Sequence, residues 1–316
     1  MKILITGATG FIGQHLIESL AGENVSVRII TRKSNAELRE KKIQAEIVQG
    51  DLADSSVLEK AFRDVEIVIN LAAELVDPLK FESTNVNSVK IMAALAKKND
   101  VKKFIQLSSV GVVGMQYSPK HIVVDESTAC FPKNGYEKSK LESERILLET
   151  FSNDKRKLVI LRPTNVFGDE HPRNALFHFF QTIKNGKRMV CTEDAMVNYV
   201  YVNDLVSSIH HFIFKDAMEN IYNVGNAMLF KDFFLASSKL IGKTAPLTIL
   251  PRICFALPEA ITYFGMKNVK AKLRSLSNGV IYSDERLQKE IPGIYRYGIE
   301  KGLQRTIEFY NSKGKL

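Results

Sequence analysis

The sequence predicts an α/β protein built on a doubly wound parallel sheet, with a smaller C-terminal cap. Three observations carry this reading. Short β-branched apolar runs alternate with helical patterns through the first half of the chain. A glycine-rich turn follows the first run and opens directly into a helix, within the first fifteen residues. The alternation stops at Pro163, after which helices and short strands mix loosely. Parallel strands joined through helices require right-handed crossovers, which place helices on both faces of the sheet.

Residues 2–5 are the first strand. Residues 10–21 are the first helix, with Phe11, Ile12, His15, Leu16 and Ser19 around its inner face. Strands follow at 25–30, 47–48, 67–71, 104–108 and 158–161, with helices at 55–62, 83–97 and 136–151 between them. Beyond Pro163, helices are expected at 176–184, 202–214, 231–241 and 298–310, and strands at 199–201 and 221–224. No repeat, low-complexity tract or Ser/Gly linker interrupts this second part, so it packs against the sheet. The division is 1–168 for the sheet domain and 169–316 for the cap, with some segments of the latter returning to the sheet.

Composition limits the function classes. With 316 residues, 45% hydrophobic and 25% charged, the chain is an ordinary globular one and not a disordered one. A net charge of +9 suits anionic ligands, and scattered lysines on solvated faces give the same total. The basic residues form no run interleaved with aromatics, which argues against nucleic acid. Cys130, Cys191 and Cys254 lie far apart without CxxC spacing, which points to a reducing cytoplasm. No HExxH pattern occurs, and no metal is expected. The N-terminal apolar run is too short for a signal peptide. The nearest approach to a membrane span, 249–264, is broken by Pro251, Arg252, Pro258 and Glu259, leaving only a peripheral surface contact open.

The chemistry starts at Thr6-Gly7-Ala8-Thr9-Gly10-Phe11-Ile12-Gly13. Gly7 permits a tight turn, Gly10 lets backbone N–H groups approach a pyrophosphate, and Gly13 lets helix and strand pack closely. The helix N-terminus over Thr9, Phe11 and Ile12 then favours phosphate charge. This is a dinucleotide site, and it makes the sheet a Rossmann-like one. Where an acid would receive the ribose hydroxyls of NAD(H), the second strand runs into Thr31-Arg32-Lys33. Arg32 suits a 2′-phosphate, so NADP(H) is favoured and NAD(H) stays possible. In Gly50-Asp51-Leu52, Asp51 either receives an adenine amino group or caps the next helix. Leu71, Ala72 and Ala73 follow the fourth strand's Asn70, where small residues let backbone approach the cofactor.

Tyr136 and Lys140 are four apart at the start of an amphipathic helix, so they share a face one turn apart. An ammonium beside a phenol favours the phenolate, which brings an acid/base with an ordinary pKa near 10 toward use at neutral pH. Ser108-Ser109 ends a strand 27 residues before the tyrosine and offers a hydroxyl to the same substrate oxygen.

In these motifs, and in Asn70-Leu71-Ala72-Ala73, Asn85-Val86, Arg162-Pro163-Thr164-Asn165-Val166-Phe167-Gly168 and Tyr199 to Leu205, the chain resembles the extended short-chain dehydrogenases/reductases, the epimerase and dehydratase relatives. The resemblance implies Ser109, Tyr136 and Lys140 as the catalytic set. Asn85 would brace the site beside the cofactor, Pro163 would lie beside the nicotinamide, and Asn165 would contact substrate phosphate. Two departures narrow the reading. Ser109-Val110-Gly111 stands where the sugar-nucleotide dehydratases carry Thr-Asp-Glu, so water elimination is not expected. Asn198 stands where many relatives carry a phosphate-binding Arg, leaving Arg173, Lys187 or Arg188 to supply a cation.

The expected function is an NAD(P)-dependent oxidoreductase that reduces a keto group on a nucleotide-linked sugar. The alternatives are a nucleotide-sugar 4-epimerase with retained NAD, a hydroxysteroid- or flavonol-like ketone reductase to which 246–258 bears a loose likeness, and a non-enzymatic NADP(H)-binding sensor or assembly subunit. A homodimer through the helices at 83–97 and 136–151 follows from the resemblance.

Overall fold

The computed structural model describes residues 1–33, 45–115, 117–171, 175–252, 254 and 276–316. The sequence-predicted Arg173, most of 249–264 and part of 246–258 lie outside the described residues.

A seven-stranded parallel sheet carries the N-terminal part. Its strands are β1 (Lys2–Thr6), β2 (Ser26–Thr31), β3 (Glu46–Gln49), β4 (Ile67–Asn70), β5 (Lys103–Leu107), β7 (Leu158–Pro163) and β11 (Ile221–Val224). They lie in the order β11-β7-β5-β4-β1-β2-β3. The crossovers are α1 (Phe11–Ser19), α2 (Ser55–Ala61), α3 (Ser88–Lys98) and α4 (Gly135–Thr150). The burial pattern shows why the sheet is covered twice. Ile3, Ile5, Ile67, Ile69, Val159 and Leu161 enter one apolar cluster, while Leu4, Val68, Leu158 and Ile160 from the same strands enter another. Side chains alternate across a strand, so continuous apolar runs demand a packed layer on each face.

The cap is smaller. Its three-stranded sheet orders β12 (Asn226–Leu229), β10 (Met196–Tyr201) and β8 (Asn165–Phe167). Short parallel pairs join β9 (Met189–Cys191) to β13 (Leu247–Ile249) and β6 (Ile122–Val124) to β14 (Val280–Tyr282). Helices α5 (Ala175–Lys184), α7 (Phe230–Ile241), α8 (Glu285–Glu290) and α9 (Gly298–Ser312) complete it, while α6 (Val202–Phe214) packs beside α1 on the large sheet. β11 joins the large sheet beside β7, so residues after 168 contribute to both layers.

Two expectations change locally. The predicted helix at 83–97 begins with a π-helical turn, Phe81–Asn87, before regular α3. The inner face of α1 is Gly13 and Leu16, with Leu20 buried beyond its end; Phe11, Ile12, His15 and Ser19 are only half-buried. Phe11 and His15 pair with each other edge to face, and Phe11 does the same with His171. Those rings flank the glycine loop, while Phe11 and Ile12 also pack on the edge of the core.

Candidate active site

A cavity of about 1100 Å³ opens along the C-terminal ends of the parallel strands, from the glycine loop to the cap. Gly7 adopts φ +70°, and a Cβ there would stand 2.7 Å from the Ala72 nitrogen. A Cβ on Gly13 would stand 2.4 Å from the Gly7 carbonyl oxygen. The Gly10 N–H closes the turn on that same oxygen at 3.0 Å. No side chain caps α1 at Gly10, so the first N–H groups of the helix face the cavity that Gly10, Phe11 and Ile12 line. A close backbone approach with uncapped N–H donors is what a pyrophosphate requires, and this cradle fits a dinucleotide.

Thr9, Gly13, Thr31, Arg32, Asp51, Leu52, Leu71, Ala72 and Ala73 line the same cavity. Arg32 and Asp51 face each other across its mouth, Nη1 to Oδ2, at 3.8 Å with both side chains exposed. The two readings of Asp51 separate here. Helix α2 is capped by Asp54, whose carboxylate accepts from the Ser56 N–H, whereas Asp51 accepts from the Ala53 N–H within its own turn.

Ser109, Tyr136 and Lys140 line the cavity, with Pro163 and Asn165. Lys140 is buried, and its Nζ donates to the Leu107 carbonyl at 2.5 Å. Burial depresses its pKa to about 8, against an upward pull from the Glu144 carboxylate. That carbonyl also accepts from Gln106 Nε2 at 3.0 Å. Gln106 Oε1 in turn accepts from Asn70 Nδ2 at 2.8 Å, and Asn70 Oδ1 accepts from the Thr6 hydroxyl. A buried file of side chains therefore runs from the glycine loop to the lysine across β1, β4 and β5. Tyr136 is half-buried and meets Phe81 edge to face at 6.2 Å. The Ser109 hydroxyl oxygen accepts from the Gly111 N–H at 3.0 Å, which fixes its position at the end of β5.

Some sequence-predicted residues stand off the cavity wall. Asn85 is 2% exposed and lies behind the residues that line the cavity. It braces them: Oδ1 accepts from the Glu74 N–H at 2.8 Å, and Nδ2 donates to the Glu74 carbonyl and to the Ser139 hydroxyl. Glu74 is a wall residue, so Asn85 ties the wall to α4. Asn198 is buried and occupied, donating to the Val280 carbonyl and accepting from the Tyr282 N–H. Asn165 Nδ2 donates to the Asn198 carbonyl at 3.0 Å while its residue lines the cavity. Lys187 and Arg188 are exposed and outside the cavity lining; Arg188 donates to the Thr248 hydroxyl. They supply no cation to it.

Sequence reasoning missed wall residues contributed from afar, among them Lys80, Thr84, His171, Phe177 and Tyr310. None belongs to a motif the sequence marks: Lys80 and Thr84 come from the turns just before α3, and His171, Phe177 and Tyr310 reach the cavity only through the packing of residues beyond 168 on the sheet. Among the described residues no group of three or more His, Cys, Asp or Glu is placed to hold a metal ion, and no helix is long and apolar enough to cross a membrane.

A sequence profile described as the NAD dependent epimerase/dehydratase family matches residues 3–225. The chain belongs to this family. Its members are enzymes of the extended short-chain dehydrogenase/reductase type that the motifs resembled. The chain is 28% identical to an N-acetyl-α-D-glucosaminyl-diphospho-ditrans,octacis-undecaprenol 4-epimerase of Escherichia coli O157:H7, over 98% of this chain and 95% of that protein. It is 27% identical to a dTDP-D-glucose 4,6-dehydratase of Dictyostelium discoideum, over 71% of this chain and 58% of the relative's length. The fold superposes on the UDP-glucose 4-epimerase of Thermotoga maritima, solved with UDP-glucose, with a TM-score of 0.75, 20% identity and 99% of both chains covered. It also superposes on the UDP-glucuronic acid 4-epimerase of Bacillus cereus, solved with NAD, with a TM-score of 0.76, 19% identity and 99% of both chains covered.

Proposed function

We propose that this enzyme transfers hydride between a nicotinamide dinucleotide and a carbinol or keto carbon of a sugar carried on a diphosphate, acting as a keto-sugar reductase. The observation that carries this reading is the continuous cavity in which the glycine cradle, Lys140, Tyr136 and Ser109 follow one another, while Val110 and Gly111 replace the acid and base that elimination needs. The dinucleotide, when bound, supplies or accepts the hydride. Lys140 presents a buried ammonium to the ribose and to the phenol. Tyr136 gives its proton to the substrate oxygen in reduction and takes it back in oxidation, and Ser109 hydrogen-bonds that oxygen.

Arg32, with no acid at the end of β2, supports NADP(H), because a guanidinium opposite a 2′-phosphate gains a charge-assisted bond that NAD(H) lacks. Residues 169–316 serve mainly as the substrate side. We assign the enzyme to the cytoplasm as a homodimer through α3 and α4.

The 4-epimerase reading is favoured by one observation, the match to a diphosphate-linked sugar 4-epimerase over nearly the whole of both chains. The two readings part on consumption of nicotinamide. With NADPH and a panel of nucleotide-linked 4-keto sugars, the reductase oxidises one NADPH per sugar, and Tyr136→Phe stops it. Interconversion of 4-hydroxyl epimers with no net change in absorbance at 340 nm identifies the epimerase instead.

A further inference from the structure

We propose that Glu144 and Arg162 form a charge-setting pair for Lys140: the Glu144 carboxylate, one helical turn further along α4, keeps the buried lysine protonated, and Arg162 holds that carboxylate in place. Neither residue lines the cavity, so both are positioning residues.

Glu144 and Arg162 are 1% and 3% exposed. Arg162, from the end of β7, grips the carboxylate with two bonds, Nε to Oε1 at 3.0 Å and Nη2 to Oε2 at 2.6 Å. A buried ion pair gains little net stability, because desolvating two charges offsets their attraction. What the pair does provide is a carboxylate held in one place inside dry protein; the Arg162 charge offsets part of its field, and the Glu144 end is the one that acts on Lys140. Lys140 and Glu144 are four residues apart on one helix, so their side chains share a face at a Cβ separation of roughly 6 Å. The Lys140 ammonium itself bonds a neutral carbonyl, and among the described residues it makes no ion pair. Glu144 is thus the near counter-charge.

The other carboxylate of α4 near Lys140, Glu137 three residues before it, is buried and accepts from the Lys133 N–H and from Asn134 Nδ2, and Tyr136 on the same helix carries no charge as a phenol. From β7 comes Arg162, and from the segment before α4 comes Cys130, whose sulfur accepts from Arg162 Nη2 at 3.6 Å and whose thiol burial pushes upward, toward neutrality. The turn Val110–Val113 is apolar, and β5 presents the Leu107 carbonyl and the uncharged Ser108. On the side of the π-turn, uncharged Asn85 meets Ser139 and Ser143. The direction of the electrostatics agrees: burial lowers the Lys140 pKa and Glu144 raises it.

The proposal rests on Lys140 as the cation of the hydride-transfer site, and its test needs no turnover, so the two can fail separately. The lysine Cε resonances of the ligand-free full-length protein, labelled with ¹³C and assigned for Lys140 by its loss in Lys140→Arg, are followed from pH 6 to 11. In Glu144→Gln the acidity constant of Lys140 rises tenfold or more, because the carboxylate that favours the ammonium is gone. Glu144→Asp keeps it near that of the unmodified protein. Because Glu144→Gln leaves Arg162 buried and unpaired, the combined Glu144→Gln, Arg162→Met variant, which removes that guanidinium as well, is measured beside it and shifts the same way. A folded combined variant whose Lys140 titrates within a factor of two of the unmodified protein overturns the proposal, as does a Glu144→Asp variant shifted as far as Glu144→Gln.

Discussion

The Lys140 ammonium and the Leu107 carbonyl meet 2.5 Å apart, buried at the C-terminal end of β5. A protonated amine in that place costs folding energy, because one carbonyl dipole does not replace its hydration shell. The folded pKa of about 8 lies below the ordinary 10.5. Below pH 8 the lysine is protonated folded and unfolded, and the whole cost is present. Between about pH 8 and 10.5 the unfolded chain binds more protons than the folded one, so stability rises with pH, by about 3 kcal/mol from this group. Urea unfolding at intervals from pH 7 to 10.5 checks this. Relative to Lys140→Met, the unmodified protein gains stability as pH rises, and parallel curves for the two proteins would show that Lys140 is not depressed.

Tyr136→Phe removes one hydroxyl from the cavity wall and keeps the ring against Phe81. Turnover falls by about 10²–10⁴, while dinucleotide affinity changes less than twofold. Steady-state rates with a fluorescence titration separate the two effects, and a variant that keeps its turnover removes Tyr136 from the chemistry.

Gly7→Ala places a methyl group 2.7 Å from the Ala72 nitrogen on a backbone with φ +70°. The clash and the left-handed conformation together lower stability by roughly 2 kcal/mol and close the cradle. Calorimetry and a dinucleotide titration report these losses. Unimpaired binding would mean that the glycine turn serves the fold alone.

Arg32→Ala changes an exposed side chain whose partner, Asp51, is 3.8 Å away and also exposed, so stability stays within ~0.5 kcal/mol. Preference for NADPH over NADH falls by about tenfold or more, the scale of one charge-assisted hydrogen bond. A preference left unchanged would place 2′-phosphate recognition elsewhere.

Much of the fold was legible because its signals are local. Val202–Phe214 and Ile221–Val224 match their predicted bounds, since helical periodicity and a β-branched run mark both. β6, β9, β13 and β14 were missed. Each is three residues long and exists only by pairing with a segment far away in sequence. The glycine cradle and the Tyr136, Lys140 and Ser109 set were legible as spacings. The bracing by Asn85 was expected from the resemblance, but its partners Glu74 and Ser139 were not, because tertiary packing joins them. Lys187 and Arg188 looked like available cations by composition, yet the fold turns them to the surface away from the cavity. The file from Thr6 through Asn70 and Gln106 to Leu107 depends on strand order, β1 beside β4 beside β5, which no single segment announces.

The central claim is that the cavity binds a nicotinamide dinucleotide on the Gly7 to Gly13 cradle for reductive chemistry. The most direct measurement denatures the purified protein, identifies any released nucleotide by mass spectrometry, and titrates the emptied, refolded protein with NADPH and NADH by fluorescence. The account predicts little retained nucleotide and one site per chain that binds NADPH more tightly than NADH. A folded protein that binds neither would contradict it.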